Sequence, residues 1–350
     1  MGLIILPKLI ENARSSGATG VHILRRARLC GIEPNVFRAV SEGEVTPEML
    51  GLSEALCEKK LKKFRLEQTA RIAHWQSTAF RVLDAIASDC IVLKGVPLGI
   101  RLTGSALWRS TSDIDIWVHP SEREHAVKKL EDTGYRIAVE PRMWSTNQVL
   151  LVHDVLAPVE IHWRLAPEPW PASEFDEAFA RRGAATIQGR EIPVLCDEDL
   201  WIHLLLHAHE HYFALKTFLD LELALSVMTP NEAAVDVCGL SRLSHVLETM
   251  VHAYTDPYRV GLWSGDGMIE VAAHRWFDRI LASSRRGELV FGEDSSVIGA
   301  LGVILRAASM ALLDGKARPV KAASQILLCG PHRVGRFVAK HFKNSSQDGI

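Results

Sequence analysis

Two aspartates stand two residues apart in Ser112-Asp113-Ile114-Asp115-Ile116-Trp117-Val118. In a β-strand, successive side chains point to opposite faces. Asp113 and Asp115 therefore share one face, and Ile114 and Ile116 share the other. The apolar pair suits a core, which leaves the acids on an open face. Like charges this close repel each other. A divalent cation would compensate them; an exposed edge strand with two solvated acids is the alternative. The pattern returns in Val159-Glu160-Ile161-His162-Trp163-Arg164, where Glu160, His162 and Arg164 share one face.

Upstream, Cys90-Ile91-Val92-Leu93 is a short apolar run that reads as a buried strand. It ends at Lys94-Gly95, and a helix begins near Val96. A strand, a glycine and a helix N-terminus together can hold phosphate, because free backbone N–H groups and the helix dipole favour an anion. Lys94 adds a positive charge there. An ordinary βα turn has the same sequence. Arg109, four residues before Asp113, can pair with the acids or bind phosphate, since guanidinium suits oxyanions.

These residues need elements to position them. The sequence predicts short helices over residues 1–50 and a long helix from Glu54 to about Ala87, with Ser53 as N-cap. Its basic cluster, Lys59 to Arg65, reads as a solvated face or as a contact for a phosphate-bearing partner. After the acidic strand, a helix over Pro120 to Thr133 carries a capping-box pattern at Ser121 and Glu124. A strand from Tyr135 to Glu140 follows. Asn147 to His153 and Val159 to Leu165 form a hairpin, and Thr186 to Leu195 forms another around Gly189. From Asp197 onward the pattern is helical, through about His211 and again from Phe213 to Met228. Further helices are expected over 232–237, 243–254, 268–283 and 296–313, with a polar tail from Lys343. The expected divisions are residues 1–88, 89–196 and 197–350.

Composition excludes some functions. Hydrophobic residues make up 47% and charged residues 23%, with a formal net charge of −2. Such a balance does not favour long nucleic acid or an anionic membrane as partner. The six cysteines are dispersed, with no CxxC pair, and no signal peptide or spanning segment is evident. Reduced thiols and a cytoplasmic location are the expectation.

Taken in order, Leu93-Lys94-Gly95, Arg109, Asp113-Ile114-Asp115 and Glu160-Ile161-His162-Trp163-Arg164 resemble an uncharacterised nucleotidyltransferase-like family of bacterial proteins. That family falls within the polymerase-beta-type nucleotidyltransferase superfamily. The motif-bearing resemblance covers about residues 90 to 165, with a helical segment near Leu200 to Leu225 also similar. It implies an α+β fold, in which a small mixed β-sheet nucleotidyltransferase core is flanked by N-terminal and C-terminal helical regions. It implies transfer of a nucleoside monophosphate from a nucleoside triphosphate, ATP foremost, to a hydroxyl. The acceptor would be a small molecule, a peptide or a protein. By the resemblance, Asp113, Asp115 and Glu160 hold one or two Mg²⁺ ions, for which Mn²⁺ can substitute. Lys94, Gly95, Arg109, Ser112, His162 and Arg164 would meet the nucleotide, its phosphates or the acceptor.

Other readings stand beside this one. His207-Ala208-His209-Glu210-His211 fits the inverted-zincin pattern through His207, Glu210 and His211, which would make the chain a zinc hydrolase. His203, His207 and His209 also suit packing or the lining of a cleft. Lys216 and Asp220, one helical turn apart, form an ion pair or, facing the cleft, let Lys216 contact the nucleotide or acceptor. A catalytically inactive binding protein of antitoxin type would keep the same fold.

Overall fold

A serine hydroxyl starts the longest helix among the described residues. Ser53 Oγ accepts from Leu56 N at 3.4 Å, which satisfies one of the N–H groups a helix start leaves free. The computed structural model describes residues 5–15, 17–29, 31–139, 147–165, 174–210 and 215–229. Helices α1 (Ile5–Ser15), α2 (Gly20–Leu29), α3 (Glu33–Ser41) and α4 (Pro47–Leu50) precede the long α5 (Glu54–Ile86). Then come β1 (Cys90–Val92), α6 (Val96–Thr103), a 3-10 turn at Ala106–Trp108 and β2 (Ile114–Val118). A second 3-10 turn at Pro120–Glu122 leads into α7 (Arg123–Asp132), β3 (Arg136–Val139), β4 (Gln148–Val152) and β5 (Val159–His162). The described chain closes with α8 (Phe175–Ala180), β6 (Gly183–Ile187), β7 (Arg190–Val194), α9 (Asp197–Glu210) and α10 (Leu215–Val227).

Among the described residues, seven strands form one mixed sheet in the order β3-β4-β5-β2-β1-β7-β6. The expected small mixed sheet with helices before and after it is present. Strand β2 is central, antiparallel to β1 and parallel to β5. All of β1 and β2 is buried, as two-sided coverage requires. On one face, Val92, Ile114, Ile116, Val118, Val159 and Ile161 share a core with Trp75, Ala79, Val82 and Ile86 of α5 and with Ala126 and Leu130 of α7. On the other, Ile91, Leu93 and Trp117 join a core that includes the early helices, Leu98, Trp201 and Leu205. The acids therefore lie on a covered face, not an open one, because α9 and the N-terminal helices have apolar stripes of their own to bury there.

Two local readings change. The Ser121–Glu124 capping box does not form. The His119 imidazole takes that place, with Nδ1 accepting from Ser121 N at 3.2 Å, and the first turn is 3-10. The last hairpin begins at Gly183 and turns through Gln188 and Gly189, both at positive φ (49° and 78°), the geometry that suits strand twist. Among the described residues, Cys57, Cys90 and Cys196 are free thiols, and no helix is long and apolar enough to cross a membrane. The helices expected beyond Pro230 lie outside the described residues.

Ile161 is fully buried in β5, whereas Leu66 on α5 is 75% exposed. Ile161→Ala is expected to lower unfolding free energy by about 2–5 kcal/mol and Leu66→Ala to change it by less than about 0.5 kcal/mol, read by urea denaturation.

Candidate active site

Register brings the acids together. Asp115 on β2 lies directly opposite Glu160 on the parallel strand β5, so both side chains leave the same face. His162, two residues along, joins them. Asp113 immediately precedes β2, and its carbonyl accepts from Trp75 Nε1 at 2.7 Å. Lys94 follows β1, where Leu93 N donates to Asp115 O at 3.0 Å. Gly95 then turns the chain into α6 at φ 82°, a conformation that L side chains rarely adopt. A Cβ there would lie 2.6 Å from the Trp75 ring. The fold itself thus demands this glycine.

One oxygen carries most of the electrostatics. Asp115 Oδ1 accepts from Lys94 Nζ at 2.9 Å and lies 3.3 Å from His162 Nε2. His162 Nε2 is also 3.6 Å from Glu160 Oε2. Burial would raise the Asp115 pKa, but Lys94 and His162 outweigh it and hold the carboxyl far below the usual range. Burial would lower that of His162, yet its bonds to Asp115 and Glu160 push it up to about 9. For Lys94, burial likewise opposes the charge and Asp115, Glu160 and Asp113 restore it. Asp113 is raised, by burial first and then by Asp115. Lys94 Nζ lies 3.1 Å from His207 Nε2 on α9; an ammonium can only donate, so His207 accepts there through a neutral ring.

The expected compensation for the acids was a divalent ion. The chain also supplies its own, in Lys94 and His162. The donors still suit a cation: ligand atoms of Asp115, Glu160 and His162 lie within 4.8 Å of one another. Carboxylate oxygens are what Mg²⁺ and Mn²⁺ take, while His162 Nε2 faces Asp115 Oδ1 as a donor. Asp113 is not in that set. It is half-buried, and Ser112 Oγ, on an exposed residue, lies 3.4 Å from its Oδ1.

Arg109 goes elsewhere than expected. Its guanidinium grips Asp220 of α10, with Nε 3.1 Å from Oδ1 and Nη2 2.9 Å from Oδ2, and both side chains are buried. Gln68 Nε2 donates to the Arg109 carbonyl at 2.9 Å. Asp220 is thus held by Arg109, and no Lys216–Asp220 ion pair forms. Lys216 is half-buried, and burial, followed by the charge of Arg109, pushes it down to about 8 against the pull of Asp220 and Asp113. Arg164 is half-buried. The sequence offers His203 only as packing or as the lining of a cleft. It is buried with both ring nitrogens unpartnered, and burial, then the charge of Lys94 and His162, hold it neutral. Its one signal was its position one turn before His207. Of the zincin pattern, His207 is the member whose side chain is described.

The model of the uncharacterised nucleotidyltransferase family matches residues 21–252. The chain belongs to that family, and its enzyme class is nucleotidyltransferase. Among solved structures, the lincosamide antibiotic adenylyltransferase LnuA, lincomycin-bound, is similar at 21% identity, over 43% of this chain and 94% of that one, with a TM-score of 0.33. The antibiotic-resistance factor ANT(2'')-Ia is similar at 16% identity, over 54% and 99%, with a TM-score of 0.35. An antigenic nucleotidyltransferase-like protein from Paracoccidioides brasiliensis is similar at 12% identity, over 64% and 94%, with a TM-score of 0.31. A search of curated proteins finds no match.

Asp220→Ala strands a buried guanidinium and is expected to cost about 3–5 kcal/mol, whereas Arg109→Met/Asp220→Leu recovers most of it; urea denaturation of the three proteins measures this. The raised His162 pKa stabilises the metal-free fold fully below its unfolded value near 6.5, and that stabilisation is lost as pH rises through about 9. The stability gap between wild type and His162→Gln should therefore narrow from pH 6 to pH 10; a gap that widens would contradict the assignment.

Proposed function

We propose that this protein is a Mg²⁺-dependent nucleotidyltransferase that moves a nucleoside monophosphate from a nucleoside triphosphate, ATP foremost, to a hydroxyl. The acceptor is a small molecule or a side chain of a peptide or protein. The observation that carries the reading is the register of Asp115 opposite Glu160, one strand from the β1–Gly95–α6 turn, in a chain of this family.

Asp113, Asp115 and Glu160 would hold the metal. When bound, it polarises the phosphoryl oxygens and favours the acceptor's alkoxide. Gly95 lets the backbone approach the triphosphate, and the free N–H groups opening α6 favour its charge. Lys216 is the described cation near Asp113 that no carboxylate has claimed, so it suits the phosphates. Arg109 acts from behind Asp220, and its role is to fix α10 and thereby Lys216. Glu160, with its side chain 22% exposed, can accept the acceptor's proton as the new P–O bond forms and pyrophosphate leaves. Ser112, His162 and Arg164 flank this path. Asp115 is closed to water while Ser112 is exposed, so substrates enter from the Asp113–Ser112 side. The net charge of −2 disfavours long nucleic acid as acceptor.

Purified protein incubated with Mg²⁺ and each α-labelled triphosphate should bind one of them and release pyrophosphate, with transfer to acceptor-rich extract. Asp113→Ala/Asp115→Ala should lower turnover by about 10³-fold or more. Unchanged turnover in the double variant would remove the assigned site, and a protein that bound no triphosphate would sink the reading altogether.

A further inference from the structure

The ammonium of Lys94 is held by two side chains. Its side chain is 11% exposed and meets Asp115 Oδ1 at 2.9 Å, with the carboxylate 1% exposed. Its second anchor is His207 Nε2 at 3.1 Å, on α9. The backbone beneath it is pinned by the Leu93–Asp115 hydrogen bond and by Gly95 at φ 82° under Trp75. The same Oδ1 faces His162 Nε2 at 3.3 Å. That oxygen is therefore already committed to two nitrogen donors.

A carboxylate that bridges two dications gives one oxygen to each. Asp115, at the centre of this cluster, has only Oδ2 to offer. A second ion beside Oδ1 would sit about 2.1 Å from that oxygen and within about 5 Å of the ammonium, where like charges repel strongly in a dry interior. Moving Lys94 aside would break its buried ion pair with Asp115, which is costly.

We propose that the site takes one divalent ion per chain, and that the Lys94 ammonium occupies the second cation's place permanently. The inference rests on the nucleotidyl-transfer reading and narrows it. Asp115 Oδ2, Asp113 and Glu160 hold the single ion that arrives with the triphosphate. Lys94 then acts as a positioning residue: it keeps Asp115 ionised and aimed, and supplies a positive charge that needs no reorganisation during the reaction.

The test counts ions. Full-length protein is titrated with Mn²⁺ in the presence of an α,β-methylene triphosphate analogue, and free Mn²⁺ is read by electron paramagnetic resonance. Wild type should bind one Mn²⁺ per chain. Lys94→Met, checked for folding by circular dichroism, should bind two, because Oδ1 is released and the repelling charge is gone. Lys94→Arg keeps a cation and should stay at one. A wild-type chain that binds the analogue and two Mn²⁺ ions overturns the single-ion site and leaves nucleotidyl transfer standing. So does a folded Lys94→Met that still binds one. A chain that binds neither analogue nor ion removes both readings. Should Lys94→Met fail to fold, the wild-type count decides alone.

Discussion

Asp115 is a carboxylate with almost no access to water, and much of the structure answers to that fact. A buried charge is tolerated only when it is paired and hydrogen-bonded. Its partners come from three places: Lys94 from the end of β1, His162 from β5, and through Lys94 the His207 ring of α9. Each demands a particular arrangement. β1 must run antiparallel to β2 so that its end meets the start of the acidic strand. β5 must pair with β2 in the register that sets Glu160 beside Asp115. A slip of one residue would send Glu160 and His162 to the other face.

A second buried pair secures the roof. Arg109 leaves the 3-10 turn before β2 and grips Asp220 in α10 through two N–H···O contacts. Such forked pairing fixes orientation as well as distance. It ties the loop that precedes the acids to the helix that bears Lys216. The two ion pairs therefore divide the work. Lys94–Asp115 sets the charge at the floor of the site, and Arg109–Asp220 sets the place of the helix above it. Gly95 illustrates how structure and chemistry coincide here. Its backbone conformation and the Trp75 ring each forbid a side chain, and the same bareness leaves the start of α6 uncovered by a Cβ.

Much of this was legible in the residues. The Ser53 cap and the helix that follows, the alternation around Asp113 and Asp115, and the hairpin that bears Glu160 depend on neighbours within a few positions. Periodicity and capping report such neighbours faithfully. The Ser121 capping box shows the limit even at short range. His119 offered a competing acceptor to the same N–H group, and a pattern of residue types does not rank the two.

By itself, the sequence determined which side chains share a strand face and where the Lys94-Gly95 turn lies, and it singled out Asp113, Asp115 and Glu160 as candidates. Those follow from the two-residue period of a strand and from the ordered motifs of the family. Only the tertiary structure decided what compensates the charges. Arg109 and Asp220 lie 111 positions apart, and Lys94 and His207 lie 113 apart. No local pattern chooses among fifteen histidines and forty lysines and arginines. The choice is made by which helix covers the acidic face. That follows from burial of apolar stripes around the whole core, and the charges then pair with whatever that packing brings within reach.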